Sequence, residues 1–182
     1  MSGRVSLASL AALALALAGC GSRASISQPR TLPATAVPYL PSSVKALTAA
    51  ALAREAGAPT LSGALGGWGY LIGTDRYFQG ESRKLQVVDS RTLRFKTAAG
   101  AQHFVSFIRT HTAPYLGSFA RAHSFTSRGR SGILLTAQQC QCHLANPAYL
   151  AVLTRAGTVT WLEINGPGAT ARKLAELIAL AP

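Results

Sequence analysis

Acidic residues are scarce in this chain. Only 6 Asp and Glu stand against 18 Lys and Arg among 182 residues, a net charge of +12. No two of the acids form an obvious general acid–base pair, and Gly129-Arg130-Ser131-Gly132 lacks the Gly-x-Ser-x-Gly spacing of a nucleophile elbow. Hydrolytic chemistry therefore has little to work with, and the chain reads as a non-enzyme with no cofactor. Long apolar runs are missing too. The longest, Leu7 to Ala18, is twelve residues interrupted by Ser9, whereas spanning a bilayer takes about 20. Cysteine is limited to Cys20, Cys140 and Cys142. The spacing of the last two excludes haem attachment and the thioredoxin-type redox motif, both of which need two residues between the cysteines. No nucleic-acid motif or regular aromatic ladder accompanies the positive charge, so nucleic acid is not an expected partner.

What is present begins at the N-terminus. Arg4 precedes the apolar run, and Leu17-Ala18-Gly19-Cys20 closes it. A basic start, a short apolar stretch and small residues make a secretory signal peptide. The Leu-Ala-Gly-Cys ending resembles the lipobox of bacterial lipoproteins. That resemblance implies a mature chain beginning at Cys20, lipidated there and held on the extracytoplasmic face of the membrane. Two or three acyl chains anchor far more firmly than one. The arginine-rich, alanine-rich composition resembles that of a high-GC genome such as an actinobacterium's. Residues 1–19 are thus expected to be signal peptide and 20–41 a lipidated N-terminus with a tether. The tether carries Pro29, Pro33, Pro38 and Pro41. As a coil it would reach about 25 Å from the membrane. One domain, 42–182, follows.

Residues 76–130 hold ten basic residues against Glu81 and Asp89. Charge of this kind speaks to partners rather than to fold. Outside a membrane the polyanions on offer are phospholipid head groups and cell-wall polymers. Arg83, Lys84, Arg91, Arg94, Arg121, Arg128 and Arg130 are the candidate interaction surface.

Hydrophobic periodicity predicts a helix over 43–56, capped by Ser42 or Ser43 and stopped by Gly57 and Pro59. Ser42-Ser43-Val44-Lys45 also satisfies the Ser-x-x-Lys pattern of penicillin-recognising enzymes. Their Ser-Asp-Asn and Lys-Thr-Gly partners are missing, so a helix cap is the better account. Extended segments are expected at 70–78, 84–88 and 93–95, with a turn or bulge at Asp89-Ser90-Arg91. A second helix, capped by Thr97, buries Ala101, Phe104, Val105 and Ile108 at i, i+3, i+4, i+7. His103 and His111, eight apart on it, read as surface histidines. Strands then follow at 119–125, from Ile133 toward Cys140, and as a hairpin of 149–154 with 158–164 turning through Gly157. A final helix over 169–180 points Ala171, Leu174, Leu177 and Ile178 inward. Asp75 and Asp89 look like turn residues, and Glu163 like a strand residue facing solvent or a basic partner.

Strands joined by short turns with helices interspersed give an α+β domain, an antiparallel sheet of five to seven strands in an α/β/α sandwich-like arrangement. The element order resembles the small PsbP/Mog1-like domains of actinobacterial lipoproteins. Trp68, Tyr70, Tyr77, Phe78 and Trp161 are candidates for core packing or for lining an apolar pocket.

Cys140-Gln141-Cys142-His143 is the one constellation with chemical potential, and three readings compete. Outside the cytoplasm two cysteines usually pair, but residues i and i+2 of a strand sit about 6.6–6.8 Å apart, at the edge of disulfide geometry. A bridge would need a bulge at Gln141. Alternatively Cys140, Cys142 and His143 hold copper or zinc, with a fourth ligand such as His123. In the third reading a strained bridge serves redox chemistry.

Overall fold

The computed structural model describes residues 26–56, 58–111, 121–137 and 146–182. Seven strands form one antiparallel sheet: β1 (Ser42–Leu47), β2 (Tyr70–Gln79), β3 (Val87–Phe95), β4 (Arg121–Ser127), β5 (Arg130–Ala137), β6 (Ala148–Arg155) and β7 (Thr158–Asn165). Their spatial order is β1-β2-β3-β7-β6-β5-β4. Two meanders therefore meet at the β3–β7 seam. Helices α1 (Ala49–Glu55), α2 (Leu61–Gly67) and α3 (Ala98–Thr110) precede the second meander, and α4 (Ala171–Leu180) follows it.

Side chains alternate across a strand, so the sheet sorts its apolar residues into two cores. On the first face Leu93, Phe95, Ile133, Leu135, Val152 and Trp161 pack under α1, α2 and α3. On the second, Phe78, Val88, Ala151, Leu153, Leu162 and Ile164 pack under α4. The α+β sandwich expected from the sequence is the fold observed. β6 runs Leu150-Ala151-Val152-Leu153 without a polar residue because both of its faces are covered. None of the described helices is long and apolar enough to cross a membrane.

Several local expectations are corrected. The expected tether is partly domain: Leu32, Val37 and Leu40 are buried in the second core, each such burial contributing about 1.5–3 kcal/mol. The expected helix over 43–56 divides into strand β1 and a shorter α1 capped by Thr48, whose hydroxyl accepts from the Ala51 N–H at 3.1 Å. β1 is extended because it pairs along its whole length with β2, from Ser42 opposite Phe78 to Leu47 opposite Gly73. The Gly-rich stretch before Trp68 is helix α2, which periodicity did not reveal. No turn interrupts β3 at Asp89-Ser90-Arg91. α3 and its Thr97 cap match expectation, the cap hydroxyl accepting from Gly100 at 3.1 Å. α4 starts at Ala171 behind a Thr170 cap, and Ala171 itself is exposed.

Both hairpins at one end of the sheet close with two residues at positive φ, Arg128-Gly129 (51° and 70°) and Ala156-Gly157 (46° and 78°). Two consecutive positive values are the signature of the turn type whose twist matches antiparallel strands. Alanine is ill suited to that conformation. Ala156→Gly is expected to raise stability by about 0.5–1 kcal/mol, read as a higher urea midpoint at constant m. A lowered midpoint would contradict the turn assignment.

Candidate functional site: a buried ionic cluster and an unopposed arginine row

The cross-strand register brings together residues far apart in sequence. Across the first face one row reads Lys45, Asp75, Arg91, Trp161 along β1-β2-β3-β7, and the next reads Ser43, Tyr77, Asp89, Glu163. Arg91 donates through Nε to both oxygens of Asp89, at 2.9 and 3.0 Å. Its Nη2 lies 3.4 Å from Glu55 of α1, and its guanidinium sits 5.1 Å from the Trp161 ring centre. Lys45 reaches over from the sheet edge to donate to Glu55 at 2.7 Å, with Asp75 at 3.3 Å.

This cluster gathers four carboxylates around two cations. Asp75 and Asp89 are almost fully buried, and Asp75 Oδ1 has no hydrogen-bond partner among the described residues. Burial first, and then the charge of Asp89, push the Asp75 carboxyl up to about 7; Arg91 and Lys45 only partly oppose the shift. Burial and Asp89 likewise push Glu163 up to about 8. Burial alone would weaken the charge on Arg91, but Asp89 more than offsets it, so its pKa lies above the usual arginine value. The hydrogen bond to Glu55 does the same for Lys45. Among the described residues no group of His, Cys, Asp and Glu has metal-binding geometry.

The cluster bears on several expectations. Asp75 and Asp89 are strand residues inside the protein, not turn residues. Glu163, half-buried, stands opposite Asp89, with the charge of Arg91 acting on it as the basic partner that was one of its two expected environments. Arg91 leaves the candidate interaction surface, since its side chain is 12% exposed and committed to Asp89 and Glu55. Of the aromatics, Trp161 belongs to the first core, with Trp68 and Tyr70 packed against that core, and Phe78 belongs to the second, the core packing that was one of the two expectations for them.

Withdrawing Glu55, Asp75, Asp89 and Glu163 into one cluster leaves only Glu81 and Glu176 elsewhere. Glu176 pairs with Lys173 at 3.1 Å and Arg172 at 3.8 Å along α4. The rest of the surface is basic with almost nothing to oppose it. Arg83, Lys84, Arg94 and Arg128 are exposed, and Lys84 lies 5.4 Å over the Tyr39 ring. Arg121 stands at the start of β4.

The strongest concentration is at the hairpin end of the sheet. Arg94 of β3 pairs in register with Thr158 of β7, which pairs in turn with Arg155 of β6. Arg130 opens the neighbouring strand β5. It donates to the backbone oxygens of Ala181 at 3.1 Å and Pro182 at 2.5 Å, and so ties the end of α4 to the sheet. Burial, followed by repulsion from Arg155 and Arg128, lowers its pKa. A cleft of about 240 Å³ opens here, lined by Arg130, Arg155, Ala156, Thr158, Thr160 and Pro182. Among the described residues none of Arg94, Arg128, Arg130 and Arg155 has an Asp or Glu side chain as partner. Sequence reasoning missed Arg155, which lies outside the basic stretch 76–130 and joins it only through the register.

Two other concavities are less charged. One of about 360 Å³ lies between α1 and α2, lined in part by Ala50, Ala53 and Pro59, and one of about 390 Å³ separates α3 from the β4–β5 hairpin. His103 stacks 6.2 Å from Trp68, and His111 stacks 4.0 Å from Phe107, both on the exposed side of α3. His123 is exposed on β4. Cys20, Cys140, Cys142 and His143 lie outside the described residues.

No protein-family model matches the chain, and no curated protein matches it. Among solved structures it is similar to the extracellular domain of PknH from Mycobacterium tuberculosis. The TM-score is 0.40 and the sequence identity 14%, with 76% of each chain covered.

Proposed function

We propose that this protein is a lipid-anchored, extracytoplasmic binding module that presents a basic, non-catalytic surface to an anionic component of the cell envelope. Residues 1–20 support the location, through the signal peptide and the lipobox-like Leu17-Ala18-Gly19-Cys20. One observation carries the binding role: four of the six acids are sequestered in a single cluster, so the solvent-facing arginines stand unopposed. An extended surface of one sign attracts a polymer or membrane of the other, and the attraction fades as salt shortens the Debye length from about 10 Å at 0.1 M to about 3 Å at 1 M.

The test is association of the detergent-solubilised lipoprotein with poly(glycerol phosphate), followed by sedimentation, beside uncharged dextran as control. Binding to the polyanion alone, lost between low and high salt, is the expected outcome. Equal behaviour toward dextran, or indifference to salt, would refute the proposal.

A further inference from the structure

We infer that the cleft at the hairpin end is a discrete site for a phosphate group, of the kind a glycerol phosphate carries. This rests on the basic-surface reading above and narrows it to one place. The geometry of the row is the argument. Arg94, Thr158 and Arg155 are successive cross-strand neighbours on three strands, and Arg130 faces the same cleft from a fourth. Like charges so placed in a sheet repel, and a folded protein ordinarily relieves such repulsion with carboxylates. Here the carboxylates have gone to the other face.

Arginine is the side chain suited to filling the vacancy with an oxyanion. Its planar fork gives two parallel N–H donors to phosphate or carboxylate oxygens. Thr158 and Thr160 add hydroxyls to the cleft lining, and each can donate one hydrogen bond. Two guanidinium groups line the cleft, Arg155 with no partner among the described residues and Arg130 with part of its donors already given to the end of α4, and Arg94 stands beside it across Thr158. This concentration of positive charge with neighbouring hydroxyls suits a tetrahedral anion with up to two charges better than a flat, singly charged carboxylate. The cleft is also smaller than the roughly 300 Å³ and upward typical of drug-sized ligands, which favours a head-group-sized occupant. Two tight hairpins, each closed by two residues at positive φ, hold the arginines on rigid strand ends, so little order need be gained on binding.

The site is tested by titrating the full lipoprotein, in uncharged detergent, with glycerol 3-phosphate, with inorganic phosphate and with acetate. A parallel titration uses phosphatidylglycerol incorporated in the micelles. Saturable binding of the phosphates but not acetate is expected, weakened at least tenfold by Arg155→Gln and less by Arg94→Gln, whose residue stands beside the cleft rather than in its lining. Arg54→Gln, an exposed arginine on α1 outside the site, should leave it unchanged. The lipid arm separates the two sources of the same group: a preference for phosphatidylglycerol assigns the site to a membrane head group, and equal response assigns it to the phosphate itself. Acetate binding as well as phosphate, or equal losses for Arg155→Gln and Arg54→Gln, would overturn the inference. If poly(glycerol phosphate) still binds in that case, the broader reading survives without the site. If the small phosphates bind and the polymer does not, the site stands and the broader reading falls.

Discussion

Replacing Arg91 with methionine is expected to destabilise the protein by about 3–5 kcal/mol, the cost of leaving a buried charge uncompensated. Methionine fills much of the same volume and can lie on the Trp161 ring, so lost packing contributes little to the change. What disappears is the cation that holds the Asp89 carboxylate through both oxygens and reaches Glu55. Asp89 is 3% exposed and would be left among the carboxyl groups of Asp75 and Glu163 with no cation in contact. Arg91→Lys should cost less, because charge remains while the two-pronged hydrogen bond and the flat stacking surface are lost. Urea unfolding at neutral pH measures both variants. A loss below about 1 kcal/mol for Arg91→Met, the scale of an exposed ion pair, would mean that the cluster is solvated rather than buried.

Raising the pH from 5 to 9 is expected to lower stability by a few kcal/mol, at 1.36 kcal/mol for each unit of pKa difference. The sign follows from which state holds the protons. In the unfolded chain Asp75 and Glu163 ionise near the ordinary carboxylate value of about 4. In the folded chain they keep their protons to about 7 and about 8. Between these limits the folded state binds more protons, so their contribution is whole below about pH 4 and is lost progressively as the pH rises from there through 7 and 8. Most proteins lose carboxylate-linked stability in the opposite direction, on acidification, so the experiment discriminates well. Urea midpoints at pH 5, 7 and 9 give the slope, and Asp75→Asn or Glu163→Gln should flatten it. A midpoint that rises from pH 5 to 9 would show that both groups are ionised in the folded protein.

The sequence pattern located those elements whose hydrophobic period was regular and whose ends were chemically marked. α3 is legible from Ala101, Phe104, Val105 and Ile108 behind the Thr97 cap, and the β6–β7 hairpin from Gly157. The pattern misled where a non-local partner overrode a local period. Val44, Leu47, Ala51 and Leu52 fit a helical stripe, but the free edge of β2 claims Ser42–Leu47 by pairing along its whole length. β3 was broken at Asp89-Ser90-Arg91 for a related reason. Local reading takes a polar triplet as a turn, whereas the strand continues because those polar groups find partners in the fold: Arg91 holds Asp89 and reaches Glu55 on α1, and the Ser90 hydroxyl accepts from the Leu32 N–H.

The amino-acid sequence by itself determined the excess of positive charge, the lipobox-like start, the α+β class and the positions of most helices and strands, because composition and period are properties of neighbouring residues. Only the tertiary structure decided which charges meet. Lys45, Glu55, Asp75, Arg91 and Glu163 span 118 positions of chain, and β7 lies beside β3 only because the second meander folds back against the first. That register gathers Asp75, Asp89 and Glu163 on one face, where Glu55 of α1 joins them, and sets Arg94 in line with Arg155 on the other. Coulomb energy depends on distance and on the surrounding dielectric, and both are set by the fold rather than by order along the chain.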